Sequence, residues 1–183
     1  MINRQLSESI RTLMPARART TNPDKPVSMW RERDRLRGFP ENTMVVIFRT
    51  AGCAWYNFSS CSMCGYFNDV ASNITSENLK NQIDSVAGSL GDVRVLKVFT
   101  SGSFLDPLEF PPEARDYFFR SIQGKIDKLL VESRTEYITE SNTGSLRDYG
   151  IPIRIAIGLE SSNDQMTDPN NNGGNGLYGF EPH

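Results

Sequence analysis

The stretch "TMVVIFRTAGC", Thr43 to Cys53, decides how the chain is read. Its first eight residues are an apolar, β-branched run, which predicts a strand buried on both faces as in a parallel sheet. Its end carries Arg49, Thr50 and the first of three cysteines. Outward from it, helix-like and strand-like segments alternate. "SENLKNQIDSVAGSL" (76–90) sets Leu79, Gln82, Ile83, Val86 and Leu90 on one stripe, predicting a helix with Ser76 as its N-cap. "VRVLKVFTSG" (93–102) predicts a second strand, and "PPEARDYFFRSIQG" (111–124) a helix with Pro at its start and Gly at its end. "KLLVESR" (128–134) predicts a third strand, 135–148 a weaker helix, and "IPIRIAIGLES" (151–161) a fourth strand. This alternation predicts an α/β fold of about four parallel strands joined through helices.

Each predicted strand ends in small or polar residues: Arg49-Thr50, Thr100-Ser101-Gly102-Ser103, Glu132-Ser133-Arg134 and Glu160-Ser161. Parallel α/β sheets build their sites at those C-terminal ends. The three cysteines, Cys53, Cys61 and Cys64, follow the first strand directly and so fall on the same rim.

At 183 residues, 38% hydrophobic and 23% charged, the composition is that of an ordinary globular protein with one core. No apolar run approaches the roughly 20 residues of a membrane span, and the first residues lack the apolar segment of a secretory signal. Cytoplasm is the expected compartment. The net charge of −2 is uneven: residues 11–37 hold eight Arg/Lys against three acids, and from Gly38 onward 11 basic residues face 18 acidic ones. Residues 1–40 read as a polar, basic arm suited to nucleic-acid contact, or as a solvated helix or linker, since "RERDRLR" mixes signs. Residues 162–183 are rich in Asn and Gly, lack periodicity and read as an irregular tail.

In a reducing compartment, three clustered cysteines read as metal-binding or catalytic rather than as a disulfide framework. A closed zinc site needs four ligands, and the single histidine is His183 at the far end of the tail, so a carboxylate or partner would have to complete it. A redox pair at Cys61 and Cys64 would leave Cys53 unexplained. Three thiolates are also the number expected when a [4Fe–4S] cluster keeps one iron open to a substrate or cofactor, since electron-transfer clusters typically take four.

The motifs "RTAGCAWYNFSSCSMCGYFND", "FTSGSFLD", "VESRTEY" and "IGLESSND", in that order, are similar to those of the radical S-adenosylmethionine (SAM) superfamily. The spacing Cys-x7-Cys-x2-Cys resembles its Elongator-related branch, and most closely the archaeosine-synthesis radical SAM proteins of tRNA modification. The resemblance runs from about Trp30 to Asp164. It implies that Cys53, Cys61 and Cys64 ligate a [4Fe–4S] cluster and that SAM binds the open iron. Tyr66 would contact the adenine through its backbone, and Ser101, Gly102 and Ser103 would receive the SAM amino group. Glu132 and Arg134 would meet the SAM carboxylate or the substrate, and Glu160 and Ser161 the ribose. Asp106 reads instead as the start of a turn. The implied chemistry is reductive cleavage of SAM to a 5′-deoxyadenosyl radical, then C–N cleavage of a lysine–deazaguanine adduct in tRNA. The implied partners are tRNA, an archaeosine synthase-like protein and an external electron donor.

Cores of this superfamily have six βα units, whereas about four precede the tail. The expectation is therefore a partial (βα)-barrel spanning residues 41–161, stopped short at its C-terminal side. A non-catalytic zinc- or cluster-binding module contacting nucleic acid or a partner protein is the alternative reading.

Overall fold

The computed structural model describes residues 22–54 and 66–158, together with Ser9 and Thr12. Cys61, Cys64, Glu160, Ser161, the tail at 162–183 and most of the first 21 residues lie outside the described residues. The sheet has five strands: β1 (Ser28–Leu36), β2 (Phe39–Ile47), β3 (Val95–Phe99), β4 (Lys128–Glu132) and β5 (Ile153–Ala156). They lie side by side in chain order. β2 to β5 pair in parallel, with Val45 opposite Lys97, Lys97 opposite Leu130, and Leu130 opposite Arg154. Four parallel strands match the expectation, but the described sheet is open rather than a closed barrel.

β1 corrects the reading of "RERDRLR" as a solvated helix or linker. It pairs antiparallel with β2 along its whole length, from Ser28 opposite Ile47 to Leu36 opposite Phe39. The two-residue turn is Arg37 (φ 51°) and Gly38 (φ 91°), both left-handed as a tight hairpin turn requires. Its alternation is one of charge sign. Glu32 and Asp34 accept from the Lys97 ammonium at 2.7 and 2.8 Å, so the acids face β3. Arg31, on the other face, donates to Asp92 (2.7 Å) and to the Ser89 and Leu90 carbonyls at the end of the following helix.

One face of the sheet is covered. Helix α1 (Ser76–Ser89) buries Leu79, Gln82, Ile83 and Val86. Helix α2 (Pro112–Ile122) buries Ala114, Phe118, Phe119 and Ile122. Both pack on Met44, Val46, Leu96, Val98, Leu129 and Val131 of the strands. Phe48, Phe104, Phe110 and Phe118 interlock mostly edge-to-face, with centroids 4.8–6.4 Å apart, a geometry the ring quadrupoles favour. Helix α1 starts one residue earlier than predicted. Thr75 is the N-cap, its hydroxyl accepting from Asn78 N (3.2 Å) while the Asn78 side chain accepts from Thr75 N (3.0 Å). The Ser76 hydroxyl instead donates to Glu113 at 2.6 Å, joining the starts of α1 and α2.

The weak helix of 135–148 is three short pieces: 3-10 turns at Thr135–Tyr137 and Ser145–Tyr149 around a five-residue helix α3 (Glu140–Gly144). Polar side chains compete with the helical ladder there: Asn142 donates to the Tyr137 carbonyl, and the Thr139 hydroxyl caps Asn142 N. Among the described residues, no helix is long and apolar enough to cross a membrane.

Candidate functional site

The chain leaves β2 through a buried polar joint. Gln82 of α1 holds the Arg49 peptide from both sides, accepting from its N–H at 2.9 Å and donating to its carbonyl at 3.0 Å. The Arg49 side chain is only 9% exposed and donates to the Asp69 carbonyl. Burial lowers its pKa, partly offset by the Asp69 charge. One residue on, the Thr50 carbonyl accepts from Ala71 N at 3.0 Å. The loop that carries all three cysteines therefore has a closed neck, leaving at Arg49-Thr50 and returning at Asp69–Ala71. Gly52 sits in this neck with φ 98°, and a Cβ there would lie 2.9 Å from Val70 Cγ1. Only glycine meets both demands without strain.

Cys53 comes next and rests on the turn after β3. A Cβ on Gly102 would lie 2.8 Å from Cys53 Cβ and 2.8 Å from Glu109 Oε2. The two backbones approach this closely because Gly102 has no side chain. On its other side, Cys53 Sγ accepts from Arg134 Nη1 at 3.6 Å. Arg134 also pairs with Glu136, and its backbone N–H donates to Ser103 Oγ at 3.0 Å. The end of β4 is thereby tied to the end of β3.

Of the residues expected to form the site, Cys53, Gly102, Ser103 and Arg134 come together. Gly102, Glu132, Ser133, Arg134, Thr135, Ile157 and Gly158 line a small cleft at the C-terminal strand ends. It combines the Glu132 carboxylate, the Arg134 guanidinium already engaged by Cys53 and Glu136, and glycine backbone. Ser101 and Ser103 are nearly fully buried, so they brace the turn. Tyr66 opens a 3-10 turn at Tyr66–Asn68, is 45% exposed and lies apart from the cleft lining. Asp106 starts a turn as expected, accepting from Leu108 N at 2.9 Å. Burial, then a hydrogen bond to Asp106, pushes the Tyr137 phenol far above its ordinary range. Among the described residues, no three His, Cys, Asp or Glu side chains converge as a metal cage.

Sequence reasoning missed Glu109. It is 2% exposed, and its carboxylate accepts from Thr50 Oγ1 (2.7 Å) and Ser103 N (2.5 Å). Burial pushes its pKa up to about 7, against the lowering by its hydrogen bonds to Ser103, Thr50 and Thr100. Its one sequence signal is an acid set between Leu108 and Phe110 in a proline-rich turn, which has no periodicity to expose it.

Fold and rim together define an α/β domain with four parallel strands, a small cleft at their C-terminal ends and Cys53 packed against two residues of its lining. Over 150 residues the chain is 36% identical to a protein named archaeosine synthase subunit beta in Methanosarcina acetivorans, covering 78% of this chain and 43% of that one. It is 31% identical over 166 residues to a protein of the same name in Thermococcus kodakarensis, covering 84% and 50%. It is 32% identical over 174 residues to an uncharacterized protein of Methanocaldococcus jannaschii, covering 89% and 48%. The chain thus spans half or less of the length of these curated relatives. No protein-family model matches it, and no solved structure does.

Proposed function

We propose that this chain contributes the cluster- and SAM-binding part of a radical SAM enzyme that forms archaeosine in tRNA, working with an archaeosine synthase-like partner in the cytoplasm. The observation that carries the reading is the placement of Cys53 between the Gly102 backbone and the Arg134 guanidinium, two residues of the cleft lining. The names of the relatives support the pathway. The donor set suits an iron–sulfur cluster. Three cysteines in one loop would leave one iron of such a cluster open, and a cation beside the sulfur matches a ligand set of net negative charge.

Cys53, Cys61 and Cys64 would hold the cluster, and bound there with SAM it would supply one-electron reductive cleavage of that cofactor, fed by an external donor. The protein's own share is orientation. Gly102 lets the Cys53 backbone close onto the cleft lining, and Arg134 and Glu132 place a charge of each sign in it. For the nucleic acid, Arg33, Arg35 and Arg37 of the hairpin are exposed and make no ion pair among the described residues, whereas Glu32 and Asp34 are turned to Lys97. They are suited to tRNA phosphates.

Anaerobic reconstitution with iron and sulfide tests the reading. The expected result is a brown protein with about four irons per chain that cleaves SAM under reduction, both lost in Cys53→Ala. A protein that takes up zinc and no iron overturns it and leaves the non-catalytic module.

A further inference from the structure

We propose that Glu109 is a positioning residue for the cysteine loop, fixing from beneath how Cys53 sits against Gly102 and Arg134. The contacts form a closed ring. Glu109 Oε1 accepts from the Thr50 hydroxyl at 2.7 Å, and Thr50 Oγ1 accepts from Gly52 N at 3.2 Å, one residue before Cys53. Glu109 Oε2 accepts from Ser103 N at 2.5 Å, and Ser103 Oγ accepts from Arg134 N at 3.0 Å. The Arg134–Cys53 contact at 3.6 Å closes the ring. Gly102 lies inside it, within contact distance of both Cys53 and Glu109.

Simple space-filling does not account for a carboxyl here. Glu109 is nearly fully buried, and no ion pair reaches it among the described residues. A buried acid without a cation is costly compared with an apolar side chain of similar size. What a carboxyl offers is two acceptors on one rigid plane, each serving a different loop. Thr50 and Ser103 belong to segments about 50 residues apart in sequence, and Glu109 is the group that both of them touch. Removing it leaves Thr50 and Ser103 without a shared hydrogen-bond partner among the described residues, and only Arg134 still bridges the two segments.

The test needs neither iron nor SAM, so its failure is separate from failure of the proposed function. In the full chain, Cys61→Ser and Cys64→Ser leave Cys53 as the sole thiol. Its alkylation rate by iodoacetamide under native conditions is measured beside the urea midpoint. Glu109→Gln keeps both contacts by accepting from Ser103 N and donating to Thr50 Oγ1, and should label within about twofold of the parent. Glu109→Asp is one methylene short and Thr50→Val lacks the hydroxyl. Each should label roughly fivefold faster or more, as expected for losing a buried hydrogen bond at the neck. If Glu109→Asp does not fold, the near-isosteric Thr50→Val decides alone. A folded Thr50→Val or Glu109→Asp that labels at the parental rate overturns the proposal. So does Glu109→Gln labelling as fast as Glu109→Asp.

Discussion

Glu109 also makes stability depend on pH, and the sign follows from its pKa. In the unfolded chain a glutamate titrates near 4.3, whereas in the fold burial holds this one up at about 7. Between those values the native state keeps a proton that the unfolded state has released. Stability therefore falls as pH rises through that window and levels off above about 7. The loss is on the order of 4 kcal/mol, at roughly 1.4 kcal/mol for each pH unit. Glu109→Gln cannot lose a proton, so urea midpoints from pH 5 to 8 should show parent and variant converging at the acid end and separating toward neutrality. A constant offset across that range would refute the assignment. Glu109 also marks where reading at the residue scale stopped. Cys53, Gly102 and Arg134 were legible because their chemistry is unusual wherever it occurs. A buried acid that acts through two loops has no sequence signature, because its partners are set only by the fold.

Helix α1 was legible almost entirely, since its buried stripe of Leu79, Ile83 and Val86 repeats at helical spacing. Only its first turn differed, because Thr75 and Ser76 are both good caps and sequence alone does not say which adopts the extended backbone. The structure assigns that role to Thr75, with φ −104° and ψ 164°. Thr75→Ala should cost about 1 kcal/mol of stability, the usual value for a lost N-cap, and Ser76→Ala should cost less. Urea unfolding of the two variants checks the order, and the reverse order would return the cap to Ser76. Strand β1 was not legible for a different reason. Strand patterns are read from alternating hydropathy, and β1 alternates arginine with acid, which by polarity alone is featureless. Its period of two becomes meaningful only once Lys97 on β3 supplies a counter-charge for one of its faces.

Over the whole molecule, the regular succession of strand and helix was enough to predict the parallel sheet and the shared rim. The antiparallel hairpin on its edge was not predicted. That hairpin places Arg33 and Arg35 on an outward-facing row that ends at Arg37 in the turn. Alternate residues of a strand stand roughly 6.6 Å apart, close to the spacing of phosphates along a single RNA strand. Changing all three arginines to alanine should weaken tRNA binding and flatten its salt dependence, lowering the slope of log K against log salt by roughly 2. Filter binding at several salt concentrations would show it, and an unchanged slope would reduce the row to a guard that keeps the edge strand from pairing with other chains.

The side-by-side order of the strands has a consequence for biosynthesis. Because β1 to β5 neighbour one another in the order in which they are translated, every strand finds its docking partner already outside the ribosome. The hairpin can close first, each βα unit can then settle on the one before it, and no early segment waits with an unpaired edge for a distant partner. The loop holding the cysteines is translated between the first two parallel strands. Its neck can therefore be secured by Gln82 and Glu109 while the rest of the sheet is still being made.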